Sequence, residues 1–165
     1  MLGSAGPYDD ATLQLLIHHL KFRGVRRAAE PLAVLLARYV REVAVDISGY
    51  LLIPLPLSGR RRNERGFNQA EEIARYFIEH VPLSLRTDIL ARSGHAKPQT
   101  ETANIAERRR NVLGCFSVLK PDDVYRKNIV VLDDVTTSGA TLSDAARALR
   151  SAGARRIIGL TVAKA

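Results

Sequence analysis

Tryptophan is absent from this 165-residue chain, and cysteine occurs once, at Cys115. A single cysteine excludes an internal disulfide framework and a thiolate-rich zinc cage within the sequence. Cys115 reads instead as a small apolar residue in a strand. Long apolar runs are missing as well: the longest, Tyr50 to Leu57, is interrupted by Pro54 and Pro56 and falls far short of the ~20 residues of a membrane-crossing helix. The N-terminus shows no basic stretch followed by an apolar core, so no secretion signal is expected and the expected location is the cytoplasm. Aromatic residues are scarce, five Tyr and four Phe, and none interleaves with the arginine runs, which weakens any case for base stacking along a single nucleic-acid strand. Neither G-x-x-x-x-G-K-S/T nor G-x-G-x-x-G occurs, so a nucleoside-triphosphate loop and a dinucleotide fingerprint are set aside. Acidic residues are outnumbered by basic ones, 17 to 25, for a net charge of +8. That balance points to an anionic partner without naming it: nucleic acid, nucleotide phosphates, pyrophosphate or an acidic membrane surface.

What is present is an alternation of helical and strand patterns in a chain of single-domain length. Leu13, Leu16, Ile17 and Leu20 repeat at helical spacing behind Asp9, Asp10 and Thr12, with Gly24 as a stop. Leu32, Leu35, Leu36, Tyr39, Val40 and Val43 form a second stripe from Pro31 to about Ala44. His18 and His19 are neighbours on the first helix, about 100° apart, and cannot both face one metal. Tyr50 to Ile53 reads as a strand buried on both faces, followed by a loop. Phe67, Ala70, Ile73, Ala74, Phe77 and Ile78 give a third helix capped by Asn68. Leu83–Leu85 and Ile89–Leu90 are weak strand candidates, and Ala91 to Ile105 reads as a long mobile loop. Phe116 to Val118 and Ile129 to Leu132 read as strands, Leu142 to Leu149 as a fourth helix ended by Gly153, and Ile157 to Val162 as a last strand. The expectation is an α/β domain over 1–165. It has a doubly wound, mostly parallel sheet at 49–165 and an all-helical cap at 1–48.

Asn128 to Leu142 carries the chemistry. An apolar strand runs into Asp133 and Asp134, and the small residues Val135 to Ala140 follow before a helix begins near Thr141. Ligands of parallel sheets bind beyond the carboxyl ends of strands, where such a turn lets backbone N–H groups and a helix N-terminus approach a phosphate. Thr136, Thr137, Ser138 and Thr141 add hydroxyl donors. The acids would repel a phosphate; they suit sugar hydroxyls, a metal ion or a cationic transition state beside it. Arg60, Arg61, Arg62 and Arg65 offer bidentate phosphate contacts after the first sheet strand. Arg108, Arg109 and Arg110 point in different directions on a short helix, so at most two face one site.

Val130 to Thr141 resembles the phosphoribosyl-pyrophosphate signature of type I phosphoribosyltransferases. More of the chain, about Tyr8 to Val162, resembles the ComF (competence protein F) family within that superfamily. The recurring pieces are Leu20-Lys21-Phe22-Arg23-Gly24, Ile53 to Ser58, Arg65 to Ala70, Pro98-Gln99-Thr100 and Glu107 to Val112. The resemblance implies binding of phosphoribosyl pyrophosphate and magnesium-dependent transfer of its sugar to an unknown acceptor, in a protein associated with DNA uptake. A non-catalytic nucleotide- or DNA-binding module is the alternative. It assigns Asp133 and Asp134 to the ribose hydroxyls and to magnesium, directly or through water. Thr136, Thr137, Ser138, Gly139, Ala140 and Thr141 are assigned to the 5′-phosphate. Leu57, Ser58, Gly59, Arg60 and Arg65 are assigned to pyrophosphate, and Lys97 and Gln99 to a loop closing over the substrate. Many family members begin with a cysteine-rich zinc ribbon, which this sequence does not contain, so zinc is not carried over. DNA or competence machinery are the implied partners, and the oligomeric state, a homodimer among the options, stays open.

Overall fold

A computed structural model describes residues 2–92 and 114–165. The elements are β1 (Leu2–Pro7), α1 (Ala11–Phe22), α2 (Ala29–Glu42), β2 (Leu51–Pro54), α3 (Gly59–Arg65), α4 (Gln69–Phe77), β3 (Ser84–Leu85), β4 (Leu90–Arg92), β5 (Phe116–Val118), α5 (Pro121–Val124), β6 (Asn128–Thr136), α6 (Ala140–Ser151) and β7 (Arg156–Lys164). Five strands form a parallel sheet in the order β1-β7-β6-β2-β3. β4 and β5 make a separate antiparallel pair.

The sheet is buried on both faces because its central strands are apolar without alternation. On β6, Val130 and Leu132 join one core with Leu13, Ile17 and Leu20 of α1, Leu32 and Leu36 of α2 and Ile73 and Phe77 of α4. Ile129 and Val131 join the opposite core with Leu142, Ala145 and Leu149 of α6 and with Leu90 and Phe116 of β4 and β5. Each fully buried Leu, Ile or Phe contributes about 1.5–3 kcal/mol, so the two layers clamp the strand that ends in the acid pair. The expected helix starts hold: Asp10 accepts from the Leu13 N–H at 2.8 Å, and Asn68 Oδ1 from the Ala70 N–H at 3.1 Å. Among the described residues no helix is long and apolar enough to cross a membrane.

Four expectations are corrected. The first 48 residues are not all helical: Leu2–Pro7 is an edge strand parallel to β7, with Leu2 opposite Gly159 and Pro7 opposite Lys164. The stretch after β2 is not only a loop, because Ser58 caps Arg61 N–H and Gly66, at φ 74°, closes a short helix between them. Ala91 and Arg92 pair with Ser117 and Phe116 rather than beginning a loop. Finally, β6 continues past Leu132 to Thr136, since Asp133, Val135 and Thr136 stay in register with Thr161, Ala163 and Lys164 of β7. The rest of the expected mobile loop, with Lys97 and Gln99, and the Arg108 to Arg110 run lie outside the described residues.

Candidate functional site

β2 and β6 are adjacent and parallel, with Pro54 opposite Leu132 and the Leu55 N–H donating to the Leu132 carbonyl at 2.8 Å. Their carboxyl ends therefore open at the same edge of the sheet. Asn68 fixes the first of these ends, its Nδ2 donating to the Leu55 carbonyl at 3.0 Å. The segment Leu57 to Arg65 follows the first of these ends, and Asp133 to Thr141 runs on from the second past the end of β2, where ligands of such sheets bind.

The second turn is folded by its own hydroxyls. Thr136 Oγ1 accepts from the Gly139 N–H at 3.0 Å, and Ser138 Oγ from the Ala140 N–H at 3.4 Å. Gly139 sits at φ 71°, the left-handed region that favours glycine, and delivers the chain into the twelve-residue α6. The hydroxyls of Thr137 and Thr141 have no partner among the described residues. Together with the positive end of the helix they form an anion cradle. One turn into α6, the buried Asp144 accepts from the Gly114 and Cys115 N–H groups at 2.8 Å each and pairs with Arg147. That anchors the start of the segment leading to β5 against the cradle's helix.

Successive strand residues leave on opposite faces, and Asp134 turns toward α1. Its Oδ2 lies 3.0 Å from Lys21 Nζ, and its Oδ1 accepts the Val135 N–H at 2.6 Å. Asp133 Oδ1 accepts the Asp134 N–H at 2.9 Å. Burial, then the charge on Asp134, pushes the Asp133 carboxyl up to about 7; the Asp134 N–H, Lys21 and Arg92 oppose that rise. Only Asp133 Oδ2 of the four carboxylate oxygens lacks a partner among the described residues. No group of three or more His, Cys, Asp or Glu side chains gathers among them to cage a metal. Two carboxylates fit a hard cation that keeps waters and phosphate oxygens as its other ligands, the usual habit of magnesium.

The arginines of α3 divide. Arg65 is drawn into the site: its Nη1 donates to Gln69 Oε1 at 2.9 Å, and its guanidinium lies 5.5 Å from the centre of the Phe22 ring. Partial burial lowers its pKa, and the charge on Asp134 opposes that. Arg60 stays on the exposed face, paired with Glu64 at 2.7 Å. Leu57, Ser58 and Gly59 form the approach to α3. Two cations were not picked out from the sequence. Lys21 stands in the quoted Leu20 to Gly24 block, and only its membership of that block could have marked it. Arg92 ends β4, its Nε buried with no partner among the described residues and its guanidinium 5.5 Å from the Phe116 ring centre.

A parallel sheet with an acid pair and an anion cradle at its carboxyl edge defines a class, and the phosphoribosyl transferase domain family matches residues 63–165. The chain belongs to that family. It is similar to competence protein F of Haemophilus influenzae, 31% identical over 150 residues, covering 88% of this chain and 65% of that protein. The DNA utilization protein YhgH of Escherichia coli O157:H7 is 30% identical over 88% of this chain and 64% of its own length. Competence protein ComFC of Bacillus subtilis is 37% identical over 63% of this chain and 40% of its own. The chain thus spans less than two-thirds of the length of these relatives. Glutamine phosphoribosylpyrophosphate amidotransferase from B. subtilis shares the fold, with a TM-score of 0.53 at 20% identity over 82% of this chain and 26% of that one.

Proposed function

We propose that this competence-protein-like phosphoribosyltransferase domain binds phosphoribosyl pyrophosphate and transfers its phosphoribosyl group to an acceptor, in the cytoplasm and in association with DNA-uptake machinery. The observation that carries this reading is the junction of β6 and α6, where two acids precede a hydroxyl-rich turn closed by Gly139. Thr137, Ser138, Gly139, Ala140 and Thr141, with Thr136 shaping the turn, would hold the 5′-phosphate. Asp133 and Asp134 would take the ribose hydroxyls, and Leu57, Ser58, Gly59 and Arg65 the pyrophosphate. Arg60 reaches the pyrophosphate only if it leaves Glu64.

In the reaction the acceptor's lone pair forms a bond to the anomeric carbon while the carbon–oxygen bond to pyrophosphate breaks. Pyrophosphate departs with that electron pair, and the acceptor's proton passes to solvent. Positive charge grows on the sugar as the bond breaks, and the adjacent carboxylates stabilise it. Magnesium, held by Asp133 and Asp134 directly or through water, would offset charge on the phosphates. Pyrophosphate release should be measured with a panel of nitrogen acceptors; release that Asp133→Asn/Asp134→Asn abolishes supports the reading, and undiminished release in that variant defeats it. The exposed Arg60, Arg61 and Arg62 favour a second reading, a DNA-binding face. That reading expects steeply salt-dependent DNA binding that is lost when the three are neutralised.

A further inference from the structure

The residues that α4 buries are Gln69, Ala70, Ile73, Ala74 and Phe77, and Gln69, 1% exposed, is the one polar side chain among them. Its Oε1 accepts from Arg65 Nη1 at 2.9 Å, and its Nε2 is buried with no partner among the described residues. Turning the amide over is no remedy, because a guanidinium only donates and needs the oxygen toward it. A stranded amide donor lowers the stability of the fold, which leucine or methionine at this position would not do. What the amide supplies is a fixed Arg65. That guanidinium makes no ion pair among the described residues, whereas Arg60, on the same helix, pairs with Glu64. A carboxylate in place of Gln69 would hold Arg65 as firmly but cancel its charge; an amide oxygen orients it and leaves the charge for an anion. The preceding residue does the same for the backbone. Asn68, also buried, donates from Nδ2 to the Leu55 carbonyl at 3.0 Å, where the chain leaves β2 for the approach to α3. Two consecutive buried amides thus hold the turn and the arginine that the reading above gives to pyrophosphate.

We infer that Gln69 is a positioning residue of the site, holding the Arg65 guanidinium charged and oriented for the leaving pyrophosphate at the expense of fold stability. This rests on the phosphoribosyl-transfer reading above, because that reading gives Arg65 to pyrophosphate. Gln69 touches no reacting atom and acts through Arg65 alone.

The test takes the full chain unmodified and as Gln69→Leu, Gln69→Met, Arg65→Ala and Arg65→Ala/Gln69→Leu. Each is titrated calorimetrically with pyrophosphate in the presence of magnesium and separately with ribose 5-phosphate, and each is melted without ligand. Gln69→Leu and Gln69→Met should bind pyrophosphate about tenfold or more weaker, yet keep ribose 5-phosphate within about twofold, because the β6–α6 cradle is untouched. Their melting temperatures should equal or exceed that of the unmodified chain, the opposite of what a merely structural residue gives. In the Arg65→Ala background, Gln69→Leu should change pyrophosphate affinity by less than about twofold, since the residue it acts through is gone. Full pyrophosphate affinity in both Gln69 variants, an equal loss for both ligands, additive losses in the double variant, or a Tm lowered by more than about 4 °C in both Gln69 variants overturns the inference. The unmodified chain separates the two ideas: if it binds no pyrophosphate, the transferase reading falls and the inference with it, whereas binding that the Gln69 variants retain defeats only the positioning role.

Discussion

Replacing Lys21 with methionine should destabilise the chain while leaving its packing in place. Methionine keeps the apolar stem along α1 and removes only the ammonium. What remains is Asp134, with a side chain 11% exposed, facing the empty end of a pair whose lysine is 17% exposed. Removing one partner from a fully buried pair costs about 3–5 kcal/mol, and partial solvent access at Lys21 reduces this to about 2 kcal/mol. For a chain of this size, that corresponds to a Tm lower by about 4–8 °C. The assay is a double-mutant cycle in urea at neutral pH over the unmodified chain, Lys21→Met, Asp134→Asn and the double variant. The penalty belongs to the stranded carboxylate, so Asp134→Asn in the Lys21→Met background should recover more than half of it. A cost below about 0.5 kcal/mol for Lys21→Met, the scale of an exposed surface pair, would refute the reasoning.

Asp133→Asn should stabilise the fold in a pH-dependent way. The folded carboxyl is raised above its unfolded value, so its burial costs nothing at low pH and costs more as pH rises toward about 7, where the cost levels off. A Tm gain of about 3 °C at pH 8 that vanishes near pH 4 is expected by calorimetric melting, and an equal gain at both pH values would contradict the shift. Asp144→Ala should cost about 2–4 kcal/mol in urea unfolding, because two amides and Arg147 lose their acceptor, and should speed amide exchange at Gly114 and Cys115. Gly139→Ala places a side chain at φ 71° with its Cβ 3.1 Å from Leu2 Cδ2. A loss of about 1–2 kcal/mol in stability and weaker ribose 5-phosphate binding by calorimetry are expected.

The strand–acids–turn–helix order was readable because each part has a local cause: apolar residues on both faces of β6, small residues in the turn, and a helical stripe after it. The cap at Asn68 was readable for the same reason. β1 was not, since L-G-S-A-G-P has neither β-branched residues nor alternation and becomes a strand only through its pairing with β7. α3 buries none of its residues, so it leaves no apolar period to read; a cap at each end makes it. The extension of β6 through two aspartates runs against strand propensity, and the ladder to β7 overrides it. Lys21 and Arg92 come close to the acid pair through contacts between distant segments, which spacing along the chain does not encode.

The most direct measurement is calorimetric titration of phosphoribosyl pyrophosphate, in the presence of magnesium, into the unmodified chain and into Asp133→Asn/Asp134→Asn. One saturable site in the unmodified chain is expected, with affinity at least about tenfold weaker in the double variant, equivalent to 1.4 kcal/mol or more. No binding to the unmodified chain, or equal binding to both, would contradict the assignment of the β6–α6 junction to this ligand.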